Sequence, residues 1–190
     1  MPTPETDQDA ALVARLRQGD EHAFRVIWDS YHGRLIEFVY RYVLSYDVAA
    51  DIVQSVFFVL WSERETVTPR TTLVSHLYGA ARFRALRELK HARVEQAYEA
   101  TVDTEDDSEL RVAWNSGESA VEHDEVLKAV QTAIEGMTPR VREIFLLHWE
   151  DEFTAPQIAA ALEIKVQVVY NQLSRALKIV AAATSHLRDP

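Results

Sequence analysis

Apolar positions recur every three or four residues along most of the chain, and runs that alternate apolar with polar are nearly absent. A period of 3.6 buries one stripe of a helix, whereas a period of 2 buries one face of a strand. The pattern therefore predicts an all-α protein. Asp7 or Asp9 is placed to cap a first helix whose Leu12, Val13 and Leu16 face inward and which Gly19 ends. Asp20 caps a second, carrying Phe24, Ile27, Trp28 and Tyr31, and beyond Gly33 a third apolar run uses Leu35, Phe38, Val39, Tyr42 and Val43. Asp47 opens the next helix, DVAADIVQSVFFVLW, with Ala49, Val53, Val56, Phe57 and Leu60 on its inward side. Thr68 and Pro69 break the chain before a longer helix from Thr72 to about Arg93.

Periodicity weakens from Glu95 to Glu125 and resumes at Val126 with Val130, Ala133 and Ile134. Thr138 and Pro139 supply an N-cap and a first-turn proline for a helix with Val141, Ile144, Phe145 and Trp149 on its apolar side. The stretch Thr154 to Lys178, TAPQIAAALEIKVQVVYNQLSRALK, holds two helix signals only a few residues apart and reads as a helix-turn-helix. Thr154 and Gln157 form a capping box, in which the hydroxyl takes a first-turn amide and the Gln reaches back, and Pro156 lies where a missing N–H costs nothing. Ile158, Ala159 and Leu162 give this short helix an apolar face.

The second helix starts near Val166 and turns Val169, Leu173, Ala176, Leu177 and Val180 inward, leaving Gln167, Asn171, Ser174, Arg175 and Lys178 outward. Gln and Asn can pair bidentately with adenine and Arg with guanine, while Lys and Ser commonly meet phosphate. An ordinary solvated face is the alternative. Against it, Lys165, Arg175 and Lys178 are the only charges from Ile164 to Leu187, and the rest of the face is rich in amides.

Two other faces are unusual. Asp51, Gln54 and Ser55 share the outward side of their helix with Phe58, and Trp61 stands at its margin. Apolar groups beside fixed polar ones suit a protein interface, though both rings could instead tuck under a neighbouring loop. Further on, Arg82, Arg84, Arg87, Lys90 and Arg93 are interleaved with Tyr78 and Phe83. Cations with aromatic platforms suit single-stranded DNA, whose phosphates are neutralised while its bases stack. A solvated basic face with two core aromatics is the alternative.

The net charge of −10 on 190 residues opposes DNA binding until its distribution is considered. Glu95 to Glu125 holds eleven acidic residues and one basic, so the remainder of the chain is neutral. Thr66 to Val94 holds six basic residues against Glu88 alone. The acidic stretch is expected to be a linker, with Trp114 a possible docking point inside it. Lack of cysteine excludes disulfides and thiolate zinc sites. Without a secretory start or an apolar stretch of spanning length, a cytoplasmic protein with no membrane insertion is expected. No nucleotide-binding loop, metal cluster or catalytic triad is legible, so neither an enzyme nor a cofactor is expected.

Two motifs in this order resemble the extracytoplasmic-function branch of the sigma-70 RNA polymerase sigma factors. The family's DLVQETFLRLW matches the register of Asp51, Gln54, Phe57 and Trp61. Its LPERQREVFLL and EIAELLGISVGTVKSRLSRAL are similar to MTPRVREIFLL and QIAAALEIKVQVVYNQLSRAL, and the likeness spans about residues 9–94 and 126–180. It implies two small helical domains joined by the acidic linker: residues 1–94 for core polymerase and the −10 element, 95–125 as linker, and 126–190 for the −35 element. Asp51, Gln54, Phe58 and Trp61 would face polymerase. Tyr78, Arg82, Phe83, Arg84, Arg87 and Lys90 would capture the −10 strand. Gln167, Tyr170, Asn171, Ser174, Arg175 and Lys178 would read the −35 duplex. Expected partners are core RNA polymerase, promoter DNA and an anti-sigma factor.

The chain departs from the family pattern at several of these positions. Phe83 and Arg87 stand where Asn and Asp are common, Glu163 where Gly is, Lys165 and Val168 where Ser and Thr are, and Tyr170-Asn171 where Lys-Ser is. A sigma mimic that keeps only the protein-facing surfaces, or a plain helix-turn-helix repressor, are the alternative functions.

Overall fold

The computed structural model of the chain describes residues 4–68, 72–99 and 125–185. Among the described residues there are eight helices and no strand, in the order α1 (Pro4–Arg17), α2 (Glu21–Val43), α3 (Tyr46–Ser62), α4 (Leu73–Glu99), α5 (Glu125–Glu135), α6 (Pro139–Trp149), α7 (Ala155–Ala161) and α8 (Val166–Thr184). The chain divides into two compact units, the first holding α1 to α4 and the second mainly α5 to α8.

In the first unit α2 is the spine, packed against α1, α3 and α4. Its buried stripe of Ala23, Ile27, Leu35, Phe38, Val39 and Tyr42 meets the stripe of α3 (Ala49, Val53, Val56, Phe57, Leu60) and that of α4 (Leu73, Leu77, Ala81, Ala85). Gly33 does not interrupt it, and α2 runs unbroken for 23 residues. A mid-helix glycine costs about 1 kcal/mol, which burial of so long a stripe exceeds.

Capping was legible at one end and misread at others. Asp20 caps α2 as expected, accepting from the amides of His22 at 2.9 Å and Ala23 at 3.2 Å. Asp9, expected to open α1, lies inside it and accepts the Leu73 amide of α4 at 3.2 Å, so it satisfies the start of a helix 64 residues away. Asp7 likewise falls within α1. Ser45, not Asp47, caps α3 through the Val48 amide, and Asp47 occupies the first turn, where its charge suits the helix dipole.

In the second unit α8 packs against both α5 and α6. Ile134, Met137, Val141, Phe145, Leu146 and Ala176 form its core, with Val130, Ile179 and Val180 partly buried against it. Arg142 fastens the turn between α5 and α6: its Nε donates to the Ile134 carbonyl at 2.9 Å, and its Nη2 reaches the carbonyls of Glu135 and Met137. Among them, the Glu135 carbonyl is one that the end of α5 leaves without an intrahelical partner. Thr138 precedes α6 with no side-chain cap bond. Trp149, expected on the apolar side, is 69% exposed and stacks parallel to Phe145 from outside the core.

The expected linker and Trp114 fall largely outside the described residues, although α4 continues through its first residues to Glu99.

Candidate protein and nucleic-acid interfaces

The outward face of α3 splits into two surfaces. Helical spacing turns Gln54 and Trp61 toward α2 and turns Asp51 and Ser55 toward α4, with Phe58 between them. On the α2 side a groove of about 670 Å³ is lined by Phe24, Trp28, Gln54, Phe58 and Trp61, with Glu21, Arg25 and Asp29 also along it. Its floor is an aromatic cluster: Trp28 lies 4.6 Å from Phe57 and Phe24 lies 5.2 Å from Trp61, measured between ring centroids. Trp61 is half-buried, with the Arg64 guanidinium 4.6 Å over its ring. Phe58 stands free at 72% exposure. Of the two readings of these rings, Phe58 follows the exposed one and Trp61 lies between them. Phe24 and Trp28 were read as core alone. The signal that they border a surface is their interleaving on α2 with Glu21, Arg25 and Asp29.

Asp51 lies on the other side of α3. With Val48, Ile52 and Ser55 it lines a second groove, of about 510 Å³, opposite Arg84, Arg87, Glu88 and His91 of α4. The four residues expected to act together on α3 are therefore divided, and Asp51 shares its groove with part of the basic set.

On α4, Phe83, Arg87 and Lys90 follow one another at helical spacing and are all exposed, Phe83 by 67%. Arg84 and Arg82 are partly exposed on either side. Arg93 belongs to the residues whose side chains are not described. Tyr78 corrects the expected site: it is fully buried, its ring 4.8 Å from that of Phe38, and it presents nothing for a base to stack on. The step of five positions from Tyr78 to Phe83 turns a helix through about 140°, so the two rings leave on different faces.

In the helix-turn-helix, Ile158, Ala159 and Leu162 are buried, as are Val169, Leu173 and Ala176 of α8. Leu177, expected inward, is 58% exposed, because it stands about 80° from the Val169 side of the stripe. The Thr154 box is half as expected. Gln157 Oε1 accepts from the Thr154 amide at 2.8 Å, but the Thr154 hydroxyl also bonds to that oxygen, at 2.7 Å, rather than to a first-turn amide.

The turn itself ends α7 with paired bonds, Ile164 N–H to the Ala159 carbonyl at 2.9 Å and Glu163 N–H to that of Ala160 at 3.4 Å. This arrangement needs a left-handed residue, and Glu163 supplies it at φ 53°. Lys165 precedes α8 in extended conformation with no side-chain cap bond. Beyond it Gln167, Tyr170, Asn171, Ser174, Arg175 and Lys178 are all exposed. Gln167 Nε2 donates to Asn171 Oδ1 at 3.2 Å.

Residues 27–94 match the family model for sigma-70 region 2, and residues 127–180 match that for sigma-70 region 4. The chain is 23% identical over 170 residues to the ECF RNA polymerase sigma factor SigX of Bacillus subtilis, covering 89% of this chain and 87% of that protein. In fold it is similar to CnrH in its complex with the cytosolic domain of CnrY, with a TM-score of 0.60, 18% identity and coverage of 94% of this chain and 97% of that one. It is also similar to the sigma factor RpoE of Bartonella quintana bound to the anti-sigma factor NepR, with a TM-score of 0.59, 17% identity and coverage of 85% and 96%. With region 2 and region 4 matched in order, the chain belongs to the sigma-70 family of RNA polymerase sigma factors, in its extracytoplasmic-function branch.

Proposed function

We propose that this sigma factor holds core RNA polymerase through the groove between α2 and α3, captures the non-template strand of the −10 element on the outer face of α4, and sets α8 in the major groove at −35. The observation that carries the reading is the division of α8: its apolar stripe is buried, and every polar side chain of the opposite face is exposed with no acidic group among them. A face that is amide-rich and basic inside an acidic protein suits an electronegative groove lined with base edges. Phe83 with Arg87 and Lys90 offers an aromatic platform beside cations, the combination that single strands favour. Phe58 beside Gln54 offers apolar area and a polar group to fix orientation. Tyr78 is withdrawn from the strand-binding set, and Asp51 is reassigned to the groove it shares with Arg84 and Arg87.

On this reading the protein performs no bond chemistry, and binding energy from polymerase and DNA offsets the cost of unpairing the −10 bases. It would act in the cytoplasm, and no helix among the described residues is long and apolar enough to cross a membrane. An anti-sigma partner is proposed by extension from the RpoE complex. In-vitro transcription with core polymerase over a promoter library tests the whole: enrichment of one −10 and −35 pair is expected, and core binding without any initiation would reject it in favour of a mimic.

A further inference from the structure

The first turns of α8 differ in chemistry from its later ones. Gln167 and Asn171, one turn apart and both exposed, are already bonded to each other, with Gln167 Nε2 donating to Asn171 Oδ1. That bond holds the two amides in a common orientation and leaves Gln167 Oε1 as an acceptor and Asn171 Nδ2 as a donor. An acceptor beside a donor complements the adenine edge in the major groove, where the N6 amino group donates and N7 accepts. It does not complement guanine, whose O6 and N7 both accept.

The flanks of this pair are apolar. Val168 is 37% exposed on one side, and Tyr170 is 54% exposed on the other. Neither belongs to the buried stripe of Val169, Leu173 and Ala176, and an exposed valine lowers helix propensity without the return of burial. In the major groove one base-edge group rewards an apolar side chain, the 5-methyl of thymine. Adenine and thymine are the two halves of one base pair. Arg175, the remaining strong reader, stands one turn beyond Asn171 and suits guanine.

We propose that the first two turns of α8 select A·T pairs, the Gln167–Asn171 amide pair taking adenine while Val168 and Tyr170 lie against thymine methyls, and that Arg175 adds a guanine at the adjoining position. This rests on α8 entering the major groove and names the base chemistry it reads there.

The test uses the full-length protein and selection from randomised −35 duplexes, followed by affinity measurements on the best sequence with single-atom changes in the DNA. Deoxyuridine in place of thymine removes only the methyl group, and 7-deaza-adenine in place of adenine removes only the N7 acceptor. Consecutive A·T pairs beside one guanine are expected. Loss of N7 should weaken binding by about tenfold. Loss of the methyl should weaken it by a few-fold in the parent but not in Val168→Ala. Gln167→Ala and Asn171→Ala should each abolish most of the N7 sensitivity, since either breaks the pair. Selection of G·C pairs at these positions, or the same affinity for both modified duplexes as for the unmodified one, overturns the proposal while leaving major-groove entry intact. Absence of any sequence preference overturns both.

Discussion

Tyr78 lies with its ring against Phe38, centroids 4.8 Å apart and tilted by 48°, at the centre of the first unit where α2 and α4 meet. Neither ring is exposed by more than 2%. The contact divides the aromatic residues of α4 into one that holds the fold and one, Phe83, that faces solvent. Tyr78→Ala should lower unfolding stability by about 3–5 kcal/mol, as removal of a large buried ring does. Tyr78→Phe should bind a −10 single strand as the parent does. Phe83→Ala should behave oppositely, melting as the parent but losing about 1–3 kcal/mol of strand affinity. Urea titrations alongside fluorescence anisotropy on single-stranded DNA would check it, and parental strand affinity in Phe83→Ala would remove the platform from the site.

The groove between α2 and α3 separates its residues in the same way. Phe58 is exposed, so Phe58→Ala should leave the melting temperature unchanged and weaken the complex with core polymerase by about 1–3 kcal/mol. Trp61→Ala should weaken that complex and also destabilise the unit, since its ring packs on Phe24 and under Arg64. Asp51→Ala, on the far side of α3, should have the smaller effect on core binding. Unaltered core affinity in Phe58→Ala would move the polymerase surface elsewhere.

Gly19 and Glu163 occupy the same position in two helix ends of the same design. Each is left-handed, at φ 79° and 53°, and each donates its amide back into the helix it closes. Glycine adopts this backbone freely, whereas glutamate is strained by roughly 1–2 kcal/mol. Glu163→Gly should stabilise the helix-turn-helix by up to about that amount, and Gly19→Ala should destabilise the first unit by a similar amount. Denaturant midpoints would show the opposite signs, and a loss of stability in Glu163→Gly would mean that its side chain contributes more than its backbone costs.

Part of the acid sensitivity should come from the start of α2. The Asp20 carboxylate accepts Arg15 Nε at 2.8 Å as well as two amides, and the Arg15 bond, then these amides, lower its pKa below the ordinary value of 3.8. A carboxyl whose pKa is lower folded than unfolded adds stability that is present above the unfolded value and lost as pH falls through the folded one. The parent should therefore lose this contribution below about pH 4, and Asp20→Asn should flatten that part of the stability curve. Identical acid profiles for the two proteins would assign the acid response to other groups.

Periodicity alone was enough for the all-helical class, the helix-turn-helix and the division of α8, because each depends on spacing within a single helix. Val169, Leu173 and Ala176 lie on one side at 100° per residue whatever they meet, and the opposite side is open by elimination. The two family motifs added the order of the regions.

For Asp9, Asp51 and Tyr78 the deciding partner lay on a second element. Asp9 resembles a cap for its own helix until α4 comes to rest beside it and offers the Leu73 amide. Asp51 belongs with Phe58 and Trp61 by spacing, yet α4 brings Arg84 and Arg87 to its side of α3, while α2 brings Phe24 and Trp28 to the other. Tyr78 and Phe83 are equally aromatic in the sequence, and only Phe38 on α2 decides which of them is core. The bond between Gln167 and Asn171 is local in sequence but was not readable there, since amides one turn apart can face each other or the solvent. Spacing determines which side of a helix a residue occupies, but what occupies the space opposite is a property of the packed chain.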